Sequence, residues 1–149
     1  MNRKLILMFY WITTLLIGLP AITSPVMAGD LVVVVNLDNP NPRLSHDQVS
    51  DLYLGRTRTF PNGMYAYVID RERDSQMRNR FFRLINGMHL NQVNTYWARL
   101  TFSGQVLPPV KKNNNLEVLQ SVQGNPSGIG YIDGDALVPS VREVLRLHD

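Results

Sequence analysis

Five consecutive apolar residues, Leu31-Val32-Val33-Val34-Val35, followed by Asn36, constrain this chain more than any other stretch. Alternate side chains of a strand point to opposite faces, so an unbroken β-branched run demands a strand covered on both sides. A helix layer above and another below the sheet is the simplest way to supply that cover.

The rest of the chain alternates strand and helix patterns, as such a sandwich requires. Asp38-Asn39-Pro40-Asn41-Pro42 is a loop. Ser45 then caps a helix with Val49, Leu52 and Tyr53 on one face, and Gly55 stops it. Pro61-Asn62-Gly63 marks a turn, and the spacing predicts a strand from Tyr65 to Ile69. Asp74 or Ser75 opens the next helix, whose stripe is Met77, Phe81, Leu84 or Ile85, and Met88, with Asn86-Gly87 as its stop. Val93, Tyr96, Trp97 and Leu100 define a further helix. Ser103-Gly104 and Pro108-Pro109 make a loop, and Leu116, Leu119 and Val122 form a third stripe. Ile129 to Ile132 is a short strand, and Val141 to Leu147 fits a final strand slightly better than a helix. The expectation is a single α/β domain with a mixed, mostly parallel sheet flanked by helices.

The first 28 residues read as an export signal. Arg3 and Lys4 precede an apolar run from Leu5 to Gly18, Pro20 breaks it, and Val26-Met27-Ala28 offers small residues for cleavage after Ala28. The run is shorter than the roughly 20 residues of a spanning helix. The domains are therefore a signal, 1–28, and a mature domain, 29–149, expected in the periplasm. The whole chain carries 15 basic and 12 acidic residues; the signal takes two of the basic ones and leaves a net charge of +1. That near-neutral charge, with export, argues against a nucleic-acid partner even though seven arginines fall between Arg56 and Arg83. Cysteine is absent, which excludes disulfides, cysteine-metal sites and a lipidated N-terminus.

The stretch with most chemistry is Asp70-Arg71-Glu72-Arg73-Asp74-Ser75-Gln76-Met77-Arg78. A strand ends, a polar loop follows, and a helix opens. A helix start presents unpaired N–H groups and partial positive charge, so it can hold an anion. Serine adds a hydroxyl and arginine a planar fork matched to an oxyanion. The plainer reading is a capped helix beside solvated arginines, with Asp70, Glu72 and Asp74 neutralising them. His46, His89 and His148 are too scattered for a zinc motif, and no Gly-x-Ser-x-Gly elbow, P-loop or dinucleotide fingerprint is present. No enzyme and no cofactor is implied.

Three ordered blocks resemble the phosphate-binding protein of ABC-type phosphate transporters, a PstS-like, type II periplasmic-binding-protein family. They are the valine-rich strand to Asn36; Leu44-Ser45 through Asp51-Leu52-Tyr53-Leu54-Gly55-Arg56 to Phe60, where the family commonly has tryptophan, with Asn62-Gly63; and Gly128-Ile129-Gly130-Tyr131-Ile132. Between them, Arg71 to Met77 falls where the family carries an arginine and an Asp-Gly-Ser-Gly-Thr turn that hold phosphate. The resemblance implies a single lobe of that fold, equivalent to the family's second, with Arg71 as the phosphate-binding arginine and Ser75 as the turn serine. Gln76 and Met77 replace glycine and threonine, and Asp74 replaces the first glycine. Met77 has no side-chain donor, and Asp74 would repel an anion that it faced. Arg78, one turn into the helix, either compensates or is a surface arginine. The first lobe, with its carboxylate acceptor for protonated phosphate, has no counterpart, so a half-site would bind weakly.

Two functions follow. One is non-enzymatic binding of a small oxyanion such as inorganic phosphate by Arg71, Ser75, Gln76, Met77 and Arg78. It would serve a membrane transporter or sensor, and two copies could rebuild a two-sided cleft. The other is a protein-interaction or sensory module of the envelope that has lost ligand binding. An Arg71 tied to Glu72 or Asp74 would favour the second.

Overall fold

A computed structural model describes residues 29–104 and 106–149. The expected signal and its cleavage point lie outside the described residues.

The valine run forms β1 (Leu31–Asn36), and all six residues are buried. Val33 and Val35 face one layer with Leu31, while Val32 and Val34 face the other. The first layer holds α1 (His46–Tyr53), α2 (Gln76–Asn86) and α3 (Leu90–Phe102); the second is α4 (Asn115–Gln123). The remaining strands are β2 (Tyr67–Arg71), β3 (Val110–Lys112), β4 (Gly128–Asp133) and β5 (Val141–Leu147), in the sheet order β3-β2-β4-β1-β5.

The sheet is mixed, as expected. β2 runs parallel to both β3 and β4, whereas β1 is antiparallel to β4 and β5. The parallel half places the C-terminal ends of β2, β3 and β4 on one side, which is where open α/β sheets bind ligands. Two loops rise there, from β2 to α2 and from β3 to α4, joined by the Glu72 amide donating to the Lys112 carbonyl at 3.3 Å.

Capping explains the helix starts. The Ser45 hydroxyl accepts from the Gln48 amide while Gln48 reaches back, closing a capping box. Ser75 and Asn114 each accept from the third residue of their helices. Gly87, at φ 74°, ends α2 in the left-handed conformation that the sequence stop anticipated. At the far end of α4, Asn36 Nδ2 donates to the carbonyls of Val122 and Gln123 at 2.8 and 2.9 Å, satisfying groups the helix cannot.

Three boundaries differ from expectation. The second strand is Tyr67–Arg71, two residues later than the sequence spacing suggested, because it must reach β3 along Ile69 to Arg71. β3 itself, only three residues long, follows directly on Pro108-Pro109, where the sequence reading assigned no element. In α4, Leu116 is 64% exposed and Val118 takes its place in the core, so the buried stripe is Val118, Leu119 and Val122.

Candidate functional site

Asp70 and Arg71 end β2, and strand alternation sends their side chains to opposite faces. Asp70 is fully buried on the α2/α3 side. Its Oδ1 accepts from the Tyr131 hydroxyl at 2.6 Å and from the Arg71 amide at 2.8 Å. Its Oδ2 accepts from Arg78 Nε at 2.8 Å and from Lys111 Nζ at 2.5 Å. Every carboxylate lone pair that burial strips of water is thus replaced by a donor, two of them cationic. Burial pulls the Lys111 ammonium below its ordinary pKa, against the attraction of Asp70. Burial also pushes the Tyr131 phenol well above its usual value, so it stays a donor to Asp70.

Arg71 points to the α4 side and is only 2% exposed. Its Nη2 donates to Asn115 Oδ1, in the first turn of α4, and at 3.4 Å to the Tyr131 carbonyl. The guanidinium lies 5.9 Å from the centre of the Tyr131 ring. Asn115 in turn donates to Asp133 Oδ2 at 2.8 Å. Neither Glu72 nor Asp74 binds Arg71, and among the described residues no carboxylate lies within ion-pairing distance of it. Its Nε is buried without a partner among the described residues. Burial draws its pKa down, opposed by Tyr131 and Asp133.

Ser75 is the N-cap of α2, and its hydroxyl oxygen accepts from the Arg78 amide at 3.3 Å. The first two helical residues, Gln76 and Met77, keep amides that no group accepts from among the described residues. The Gln76 side chain lines a surface hollow with Asn79, Arg80 and Arg83. Ser75, Gln76 and Met77 therefore form one group at the start of α2, while Arg71 reaches the same strand end from the other face.

Arg78 departs from both readings that the sequence left open. It is neither a surface arginine nor free to compensate for Met77, because it is 2% exposed with Nε on Asp70. Its Nη1 donates to the Arg73 carbonyl at 3.1 Å and to Asn94 Oδ1 at 2.6 Å. The sequence reading passed over Lys111, Asn94, Asn115 and Tyr131. Asp70 carried a signal, being a carboxylate at the end of a strand otherwise destined for burial. Lys111 and Asn115 carried none, because their neighbourhood depends on β3 pairing with β2.

The layers and the strand order define a single α/β lobe with a mixed sheet, the fold of one lobe of a periplasmic binding protein. The solved structures it is similar to come from phosphate transport. One, assigned as a phosphate ABC transporter substrate-binding protein with bound phosphate from Clostridium perfringens, superposes with a TM-score of 0.62 at 20% identity, over 80% of this chain and 46% of that one. An ABC-type phosphate transport receptor from Vibrio cholerae gives 0.61 at 21% identity, over 79% and 47%. PstS from Borrelia burgdorferi gives 0.60 at 11% identity, over 79% and 48%. The chain spans about half the length of each of these, and at such identities the likeness is one of fold. No family model and no curated protein matches the sequence. Among the described residues, no helix is long and apolar enough to cross a membrane, and no cluster of potential metal ligands occurs.

Proposed function

We propose that the domain binds a small oxyanion, phosphate or one like it, over the C-terminal end of β2, without catalysing a reaction. Arg71 supplies charge from the α4 side, Ser75 a hydroxyl, and the amides of Gln76 and Met77 the remaining donors. The observation that carries this reading is Arg71 itself. A buried guanidinium that, among the described residues, has no ion pair and an Nε without an acceptor is a positive charge with donor capacity to spare, beside the start of α4. The fold it shares with phosphate receptors supports the same class of ligand. Arg78 is left out of this site because Asp70 holds it. In this reading the protein works in the periplasm, delivering its anion to a membrane transporter or sensor.

Calorimetric titration with phosphate, sulfate and a dicarboxylate tests it, beside an Arg71→Ala variant. Saturable phosphate binding in the millimolar range, weakened about tenfold or more in the variant, is the expected result. No heat with any of the three anions, in protein whose circular dichroism is native, would overturn it.

A specific observation also favours the second reading, an interaction module. Tyr65, Tyr67, Leu107 and Val110 stand exposed around edge strand β3 and line one apolar groove of about 250 Å³. Exposed apolar clusters of this kind commonly meet a protein partner. Failure of every anion to bind, with a retained fold, would direct attention to this groove.

A further inference from the structure

We infer a second binding site, for a small organic anion, in the hollow between the α2 start, α3 and β3, on the sheet face opposite the Arg71 side chain. It goes beyond the oxyanion reading and shares no side chain with it.

Three cations line this hollow, Arg73, Arg78 and Lys111. Asp70 is the carboxylate that pairs with two of them, through a single oxygen. Arg73 is exposed, and no ion pair reaches it among the described residues. The Arg78 side chain is 2% exposed, yet its Nη2 makes no hydrogen bond among the described residues, while its Nε and Nη1 are both engaged. Lys111 Nζ gives one proton to Asp70 and keeps two N–H directions open. The charged residues that line the hollow are thus all cationic, with Asp70 buried behind them and Glu72 acting on Lys111 from the adjoining loop, and burial around Arg78 thins the water that would screen its charge.

The opposite wall is apolar. Trp97 and Pro108 line it, and Phe102 stands beside them 97% exposed. A fully exposed phenylalanine in the same hollow as the buried Arg78 guanidinium suits a ligand with two ends, one anionic and one aromatic or aliphatic. Inorganic phosphate would use the cations and leave this wall bare. The hollow holds about 450 Å³, within the range of small-molecule sites. A carboxylate matches the exposed Arg73 guanidinium together with the open donors of Arg78 Nη2 and Lys111 Nζ, and an attached ring matches Trp97 and Phe102.

Benzoate is a suitable probe and neutral benzamide its control. In the full chain with Trp11→Phe, Trp97 is the remaining tryptophan, so its emission reports the site. Benzoate is expected to change that emission saturably below about 10 mM, and benzamide is expected to leave it unchanged. Arg73→Glu, at an exposed position, should weaken benzoate by at least about fivefold with the near-UV spectrum intact. Arg71→Gln should leave benzoate affinity within about twofold while impairing phosphate, which separates the two sites. Equal responses to benzoate and benzamide, indifference to Arg73→Glu, loss of benzoate binding in folded Arg71→Gln, or no saturation in folded protein would each overturn the proposal.

Discussion

Asp70 sets the local chemistry because one buried carboxylate receives a phenol, an amide, a guanidinium and an ammonium. Such an arrangement is stable only while each donor keeps its proton. The phenol of Tyr131 is one donor whose proton alkaline solution can remove. Its burial and the nearby Asp70 charge raise its pKa well above 10.0, and burial does the same to Tyr53, whose hydroxyl donates to the Ile69 carbonyl at 3.0 Å. The folded state therefore holds two protons that the unfolded chain releases near pH 10.0. Above that pH the unfolded form binds fewer protons, so stability falls as pH rises. Lys111, whose folded pKa is lowered, works the other way below its ordinary value, so urea midpoints measured from pH 8 to pH 11 should show the tyrosine effect as a drop past about pH 10. Tyrosinate absorbance should show two phenols ionising only with unfolding. If Tyr131→Phe and Tyr53→Phe together left that drop unchanged, the assignment would be wrong.

At the scale of elements, α4 packs tightly on β4 at Gly130. A Cβ built on Gly130 would lie 2.5 Å from Val118 Cγ1 and 3.3 Å from Val122 Cγ2. Both valines are buried and β-branched, so neither can swing aside cheaply. Gly130→Ala should accordingly destabilise the fold by about 1–3 kcal/mol, read as a lower melting temperature, despite alanine's better backbone entropy. Ala at exposed Gly63, where nothing lies within 4 Å of the added carbon, would be the control for backbone strain alone, since φ there is 84°. This packing was only half visible in the sequence. The valines of β1, the caps Ser45 and Ser75, and the Gly87 stop were legible because each acts through its immediate neighbours. β3 was not, because three residues become a strand only when β2 lies beside them. β5 was ambiguous for a physical reason. Its buried residues Val141, Val144 and Leu147 recur every third position, a helical spacing, because the pairing with β1 shifts register at Val33/Val34. At the site, Ser75 was legible as a cap and Arg71 only as a loop arginine singled out by the family resemblance; its burial at the end of β2 was not. Arg78 was not, since its partner Asp70 lies on another element.

Whole-molecule behaviour follows from β1. Its two faces form part of two separate apolar clusters, one with α1, α2 and α3 and the other with α4. Neither helix layer has a core of its own that omits the sheet. Loss of either layer would bare one side of a strand that has no polar side chain before Asn36, so the two layers should unfold together. Val34→Ala removes two methyl groups' worth of packing from the α4 face, at a cost of about 2 kcal/mol. Trp97 sits in the opposite cluster and receives none of that change directly. In the chain with Trp11→Phe, Val34→Ala should nevertheless lower the urea midpoint of Trp97 emission by about 1 M, the same shift seen in far-UV circular dichroism. A Trp97 transition that stayed in place while the circular dichroism moved would mean that α4 melts alone. The strand ends would then lose Asn115, and with it the acceptor that holds Arg71.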